Sequence, residues 1–166
     1  MDKFCKFCGV EHVAQEYPKK CEACESITWV NPIPVAVLLQ PVTDGLRTGV
    51  LIGQRAIQPM RGQWGLPGGF VDPKDRSIEH AACRELLEET GATAHPEFVK
   101  LIGSFSTIKN MLVFCKSEQV LLWKNVERGF KANNECSAID VAWEPRSLCF
   151  QSHTDYLLSY LKTIGV

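Results

Sequence analysis

Three carboxylates at a fixed spacing carry the first chemistry legible in this chain. Glu85, Glu88 and Glu89 stand at i, i+3 and i+4, positions that share one face of a helix. Three like charges on one face destabilise a helix unless a cation sits among them. Hard oxygen donors suit Mg²⁺ or Mn²⁺, which complete their shells with water and substrate phosphate. Such a centre polarises a phosphoryl oxygen and lowers the pKa of bound water, or one carboxylate stays free to take a proton from the attacking water. A solvated acidic face is the competing reading. The neighbours weigh against it: Gly68-Gly69 precedes the helix and lets backbone come close to metal and phosphate, and Arg84 stands directly before Glu85.

The second group is four cysteines. Cys5-x2-Cys8 and Cys21-x2-Cys24 are separated by twelve residues. Each CxxC turn aims two sulfurs at one centre, so the four thiolates can enclose Zn²⁺ tetrahedrally. Four sulfurs close the sphere, which makes the expected zinc structural. Gly9 follows the first pair, where the turn needs freedom in φ. Four ordinary buried cysteines would leave the paired spacing unexplained, and a redox dithiol needs only one pair. A segment this short has too small a core to fold alone, and metal would supply that energy.

Elements must hold these groups in place. Residues 1–30 contain half of the eight cysteines and little apolar periodicity, so they are expected to form a small zinc ribbon. Asn31-Pro32-Ile33-Pro34 is a stiff connector over 31–34, because proline fixes φ and restrains the residue before it. Residues 35–166 form the main domain. Val35–Leu39 is a nearly continuous apolar strand, expected to be buried, and Gly49–Gly53 a second, with Asp44-Gly45 turning between them. Gly62 to Asp75 is turn-rich. Ser77 to about Thr90 reads as a helix stopped by Gly91, with Cys83, Leu86 and Leu87 expected to pack on a sheet. Val99–Phe105, Met111–Cys115, Val120–Trp123 and Ile139–Trp143 read as strands, and Thr154–Thr163 as a closing helix with Leu157, Leu158 and Leu161 inward. Strands interleaved with helices give an α/β class, a layered sandwich with a mixed sheet.

Composition sets outer bounds. The 166 residues are 45% hydrophobic and 22% charged with a formal net charge of −1, a globular composition without a strong basic field for nucleic acid. No apolar run approaches a membrane span. The first five residues, Met1-Asp2-Lys3-Phe4-Cys5, do not resemble a signal peptide. Eight cysteines without an export signal point to a reducing, cytoplasmic setting.

The helix and its entry resemble the Nudix box: glycine, five residues, Glu, seven residues, then Arg-Glu-apolar-x-Glu-Glu-x-Gly-apolar. Arg84 to Ala92 match the second half fully. In the first half Asp75 takes the place of Glu, and eight residues separate it from Arg84, a one-residue insertion ahead of the helix. Asp75 is also a candidate N-cap together with Ser77. The resemblance implies a Nudix-like α/β/α sandwich with mixed sheet. It also implies metal on Glu85, Glu88 and Glu89 with the Gly68 carbonyl nearby, Arg84 holding a box carboxylate, and attack of water on a diphosphate. A four-cysteine ribbon followed by Asn31-Pro32-x-Pro34-Val35 is similar to the zinc-ribbon branch, which includes NADH, ADP-ribose and FAD pyrophosphatases. NADH-type members carry a Ser-Gln-Pro-Trp-Pro-Phe-Pro stretch; here the region reads Gly103-Ser104-Phe105-Ser106, so NADH specificity has no support. Glu135 occupies the region where some relatives place a further acidic residue, a fourth ligand or general base, with a plain surface carboxylate as the equal alternative.

His12, His80, His95 and His153 have no ligand spacing and read as solvated or locally hydrogen-bonded. Cys83, Cys115, Cys136 and Cys149 read as buried apolar thiols, and Trp64 as a framework aromatic before a base-stacking one. The expected activity is metal-dependent hydrolysis of a nucleoside diphosphate linked to another moiety: ADP-ribose, a dinucleotide coenzyme or FAD. The alternatives are a nucleoside triphosphate sanitising hydrolase and a non-catalytic nucleotide sensor. The expected partner is a small nucleotide, with neither nucleic acid nor membrane; relatives are often dimers, which leaves a homodimer open.

Overall fold

The computed structural model describes residues 3–13 and 16–166. Met1 and Asp2 of the signal-peptide reading, and Ala14 and Gln15 of the ribbon, lie outside the described residues. The chain divides into two compact units, Met1–Pro32 and Ile33–Val166.

In the first unit, β1 (Lys19–Lys20) pairs antiparallel with β2 (Ile27–Thr28). The two cysteine knuckles are built alike. The Gly9 N–H donates to the Cys5 carbonyl at 3.0 Å and the Glu25 N–H to the Cys21 carbonyl at 2.8 Å. Both residues are left-handed, at φ +75° and +59°, so the freedom expected at Gly9 is required there and Glu25 adopts the same turn without it.

The second unit holds two mixed sheets. Its strands are β3 (Ile33–Leu39), β4 (Pro41–Thr43), β5 (Thr48–Arg55), β6 (Trp64–Gly65), β7 (Gly68–Phe70), β8 (Val99–Ser106), β9 (Asn110–Ser117), β10 (Leu121–Leu122) and β11 (Cys136–Ala142). Its helices are α1 (Ile78–Thr90), α2 (Trp123–Gly129) and α3 (Gln151–Thr163). One sheet runs β7-β3-β9-β8 and the other β10-β4-β5-β11, with β6 on β5. β3–β9 and β10–β4 are parallel pairs.

Strand alternation builds the layers. Ala36 and Leu38 face a core shared with Ala81, Ala82 and Leu86 of α1. Val37 and Leu39 face a second core with Leu157 and Leu161 of α3. The apolar run in β3 is therefore buried on both faces, as a strand sandwiched between helices must be. This is the Nudix-like α/β/α architecture with mixed sheets.

Three local expectations need correction. Leu87 is exposed, while Cys83 and Leu86 are buried as expected. The segment read as a strand over Val120–Trp123 pairs only through Leu121–Leu122 and then becomes α2. There Trp123 and Val126, three residues apart, pack together into the α1 core, a helical rather than an alternating period. His153 is buried and accepts the N–H of Leu66, in the short segment between β6 and β7, so it is not solvated. Among the described residues no helix is long and apolar enough to cross a membrane.

Candidate active site

α1 brings the carboxylates into the lining of a cavity, and its ends are fixed by its own residues. Ser77 is the N-cap and accepts from the His80 N–H at 3.3 Å. Gly91, at φ +72°, sends its N–H to the Leu87 carbonyl at 2.9 Å, a left-handed stop that relieves one orphan carbonyl. Asp75 does not cap the helix. Its carboxylate accepts from the Asp72 N–H at 2.8 Å and takes the Arg84 fork, Nε at 3.1 Å and Nη2 at 2.8 Å.

Arg84 is the hub of this corner. Its Nη1 reaches Glu85 at 2.8 Å and Glu88 at 2.9 Å, and Nη2 also donates to the Phe70 carbonyl at 3.0 Å. One guanidinium thus ties the loop before α1, the β7 strand and two helix carboxylates together, a planar fork that lysine cannot imitate. The Arg84 bond, foremost, holds the Asp75 carboxyl below its usual range. The inserted residue ahead of α1 therefore leaves the Asp75–Arg84 clamp closed.

Of the three helix carboxylates, the structure brings two together. Carboxylate oxygens of Glu85, Glu89 and Glu135 lie within 4.8 Å of one another. Glu88 stands outside this group, its side chain 55% exposed and engaged by Arg84. Burial lifts the Glu85 carboxyl above its usual value, with Arg84 opposing. Burial also pushes Glu89 up to about 8, opposed by the Gly68 N–H and reinforced by Glu85 and Glu135. Crowded, desolvated carboxylates of this kind fit a hard divalent cation, whose charge removes both penalties.

The two glycines at the entry work by close approach. A Cβ on Gly68 would land on the Ala36 carbonyl, and one on Gly69 would sit 2.5 Å from the Glu85 carboxylate. Gly68 meets the site through its N–H, which donates to Glu89 Oε2 at 3.1 Å.

Sequence reasoning missed the residue that places Glu135. Asn133 Nδ2 donates to the Glu88 and Glu89 carbonyls at 3.0 and 3.1 Å, and its Oδ1 accepts from the Glu135 N–H at 2.9 Å. It links the last turn of α1 to the loop bearing the third carboxylate. Asparagine three residues from a strand carries no signal of this kind in sequence.

The cluster opens into a cavity of about 790 Å³. Phe70, Phe105, Leu112 and Phe150 give it an apolar wall, and Arg55 and His153 add polar groups. Arg55, Phe150 and His153 were also missed. Trp64 packs against the α3 core and under Arg146, 5.5 Å from the ring, so it serves the framework as expected. Cys83, Cys115, Cys136 and Cys149 are buried, as expected. In the first unit, Cys5 and Cys24 sulfurs are 3.7 Å apart and Cys8 and Cys21 3.6 Å, and all four lie within 4.8 Å. Sulfurs at Zn–S bonds of about 2.3 Å in a tetrahedron would be about 3.8 Å apart, so the group fits zinc.

A NUDIX domain family model matches residues 32–151. The chain is similar to an uncharacterized Nudix hydrolase NudL from Citrobacter koseri, 37% identical over 81 residues, 48% of this chain and 41% of that protein. The match thus spans less than half the length of that relative. Among solved structures it is similar to a NUDIX hydrolase from Nitrosomonas europaea, with a TM-score of 0.69 and 24% identity over 97% of this chain and 91% of the other. It also resembles a bifunctional NMN adenylyltransferase/ADP ribose pyrophosphatase from Francisella tularensis complexed with AMP and a Mn ion, with a TM-score of 0.59 and 20% identity over 82% of this chain and 43% of the other.

Proposed function

The chain belongs to the Nudix family, and we propose that it hydrolyses the diphosphate linkage of a nucleotide joined to a second moiety, of the ADP-ribose, dinucleotide coenzyme or FAD class. The observation that carries this reading is the Glu85–Glu89–Glu135 cluster in the wall of a largely apolar cavity. Its volume of about 790 Å³ falls in the range of small-molecule sites, about 300–1,000 Å³. Phe70, Phe105 and Phe150 in the lining are side chains of the kind on which a nucleobase stacks. The similar Francisella protein is named an ADP ribose pyrophosphatase and holds AMP and Mn, which supports the same ligand class.

Mg²⁺ or Mn²⁺ held by Glu85, Glu89 and Glu135, with Glu88 as the outer carboxylate, would supply Lewis acidity toward a phosphoryl oxygen and an activated water. The chain's own residues do the positioning. Arg84 fixes Glu85 through two hydrogen-bonding partners on either side of it, Asp75 and Glu88. The Gly68 N–H orients Glu89. Glu135, exposed and carried on the loop that Asn133 anchors, supplies the third carboxylate of that set. Cys5, Cys8, Cys21 and Cys24 would hold Zn²⁺ as a closed structural site.

A hydrolysis panel of ADP-ribose, FAD, dinucleotides and nucleoside triphosphates with Mg²⁺ or Mn²⁺ tests the reading. Release of AMP and a second monophosphate is expected. Glu89→Gln should lower kcat about 10²-fold or more. Release of inorganic pyrophosphate from triphosphates would replace it with the sanitising activity, and full activity in Glu89→Gln would refute the site.

A further inference from the structure

We infer that Asn110 is a specificity-determining residue of the same cavity: its side-chain amide reads the edge of a nucleobase seated on a row of apolar side chains, and it selects adenine over guanine. Its place in the reaction rests on the diphosphate reading above; its capacity to choose between bases does not.

The row follows from strand register. Phe70 of β7 pairs with Val35 of β3, Val35 with Leu112 of β9, and Leu112 with Phe105 of β8. Paired residues share a sheet face, and all four line the cavity. Neighbouring strands are about 4.8 Å apart, so the row spans about 14 Å. Its middle is aliphatic and half-buried, and its ends are phenylalanines that are 57% and 52% exposed. A planar ring laid on Val35 and Leu112 is thus flanked by two aromatic side chains that packing leaves free to meet it.

The same register puts the carboxylates on one side of this row and Asn110 on the other. Gly68, whose N–H holds Glu89, pairs with Val37, one same-face step before the row. Asn110 pairs with Ile33, one same-face step beyond it, and lines the cavity as Leu112 does. Each such step is two residues, about 7 Å along the strand. The phosphate end of a nucleotide and the far edge of its base are separated in the same order.

Asn110 is held in place by its backbone, and its amide is free. Its carbonyl accepts from the Thr107 N–H at 2.8 Å and the Thr107 hydroxyl at 3.0 Å, and its N–H donates to the Thr107 oxygen at 2.9 Å. The Ile33 N–H fastens the neighbouring Lys109 carbonyl at 2.8 Å. The half-buried side chain has no hydrogen-bond partner among the described residues. Of the other amides in the lining, Gln151 is tied to Asp155 at 2.8 Å, and Gln58 lies on the loop after β5, off this sheet. A side-chain amide offers a donor and an acceptor side by side. Adenine presents the complementary pair on its Hoogsteen edge, N6–H with N7, where guanine presents two acceptors. Adenine matches again on its other edge, N6–H with N1, whereas guanine's match there leaves its exocyclic amine against apolar side chains.

The test is titration of the full chain with AMP and with GMP, without added Mg²⁺ or Mn²⁺, followed by ¹⁵N NMR of the backbone amides and the Asn110 side-chain amide. The phosphate is common to both ligands, so the affinity ratio reads the base. Saturable shifts with AMP are expected at the Asn110 side chain, with AMP preferred about tenfold. Asn110→Asp removes the donor and leaves two acceptors, which suit guanine N1–H and N2–H, so the preference should reverse. Asn110→Leu should abolish it. A purely structural role would change both affinities together and leave their ratio. Phe105→Ala should weaken both nucleotides about tenfold, since the exposed ring supplies stacking. No saturable shift with AMP, equal affinities in the wild-type chain, a ratio unchanged in both Asn110 variants, or unchanged affinities in Phe105→Ala would overturn the assignment. A preference for AMP without diphosphate hydrolysis would instead remove the hydrolase reading and leave the base site standing.

Discussion

At Glu89, burial and two neighbouring carboxylates act in one direction and the Gly68 amide in the other, and the sum sets a pH dependence. Its folded value of about 8 lies above the usual 4.5, so between these the folded chain binds more protons than the unfolded one. Stability then falls as pH rises. His153 acts oppositely: burial depresses it from 6.5 to about 4, so it adds stability as pH rises to 6.5 and nothing beyond. Between pH 6.5 and 8 the Glu89 effect is unopposed by His153. Thermal unfolding without Mg²⁺ or Mn²⁺ should show Tm falling across this window, a slope reduced in Glu89→Gln and offset by added Mn²⁺. A flat Tm in the wild-type chain would contradict this. At Gly69 the issue is volume. A methyl there meets the Glu85 carboxylate at 2.5–2.7 Å, so Gly69→Ala should displace it and lower kcat by about tenfold to 10²-fold; steady-state kinetics beside a melting curve separates this from unfolding.

At the scale of elements, α1 was readable because each of its signals is local: Ser77 to start, the Glu85–Glu89 face, Leu86 inward and Gly91 to stop. Ser77→Ala should cost about 1 kcal/mol in chemical denaturation. The strand β3 was readable for the same reason, its apolar run Val35–Leu39. Glu135 was readable only as an equal choice between site and surface, because its position depends on bonds between Asn133 and carbonyls at the far end of α1, 44 and 45 residues away in sequence. Arg55, Phe150 and His153 meet through tertiary packing of β5 on α3, which leaves no spacing to read. Glu88 looked equivalent to Glu85 and Glu89 on a helical wheel, yet the i,i+4 pair with Arg84 draws it outward. Asn133→Asp should lower kcat more than Asn133→Ala. It loses the two amide donors and adds a negative charge at the C-terminal end of α1, where the helix dipole opposes it. Equal kinetics in the two variants would mean that the loop is held by other contacts.

The two units of the molecule are stabilised in different ways. Ile33–Val166 has two apolar cores, one under α1 and one under α3. In the first unit, the described buried residues are Cys5, Cys21, His12, Lys19 and Thr28. Its larger apolar side chains, Phe4, Phe7, Val13, Ile27 and Trp29 among them, are exposed. A segment of this size without an aliphatic core does not hold together by burial alone. The four sulfurs are its centre, and two short strands and two matched knuckle turns are arranged around them. Binding free energy of zinc to such a site is folding free energy. Removing zinc from the full chain with a strong chelator should therefore collapse the amide dispersion of residues 3–32, while the thermal transition of 33–166 persists. Cys8→Ser should reproduce the effect, and Gly9→Ala should weaken the unit by about 1–2 kcal/mol through its left-handed backbone. Retained dispersion in the ribbon after zinc has been measured as absent would show that something other than the metal folds it. Hydrolysis assayed once Mg²⁺ is restored then reports whether the carboxylate site depends on the ribbon at all; independent folding of 33–166 predicts that it does not.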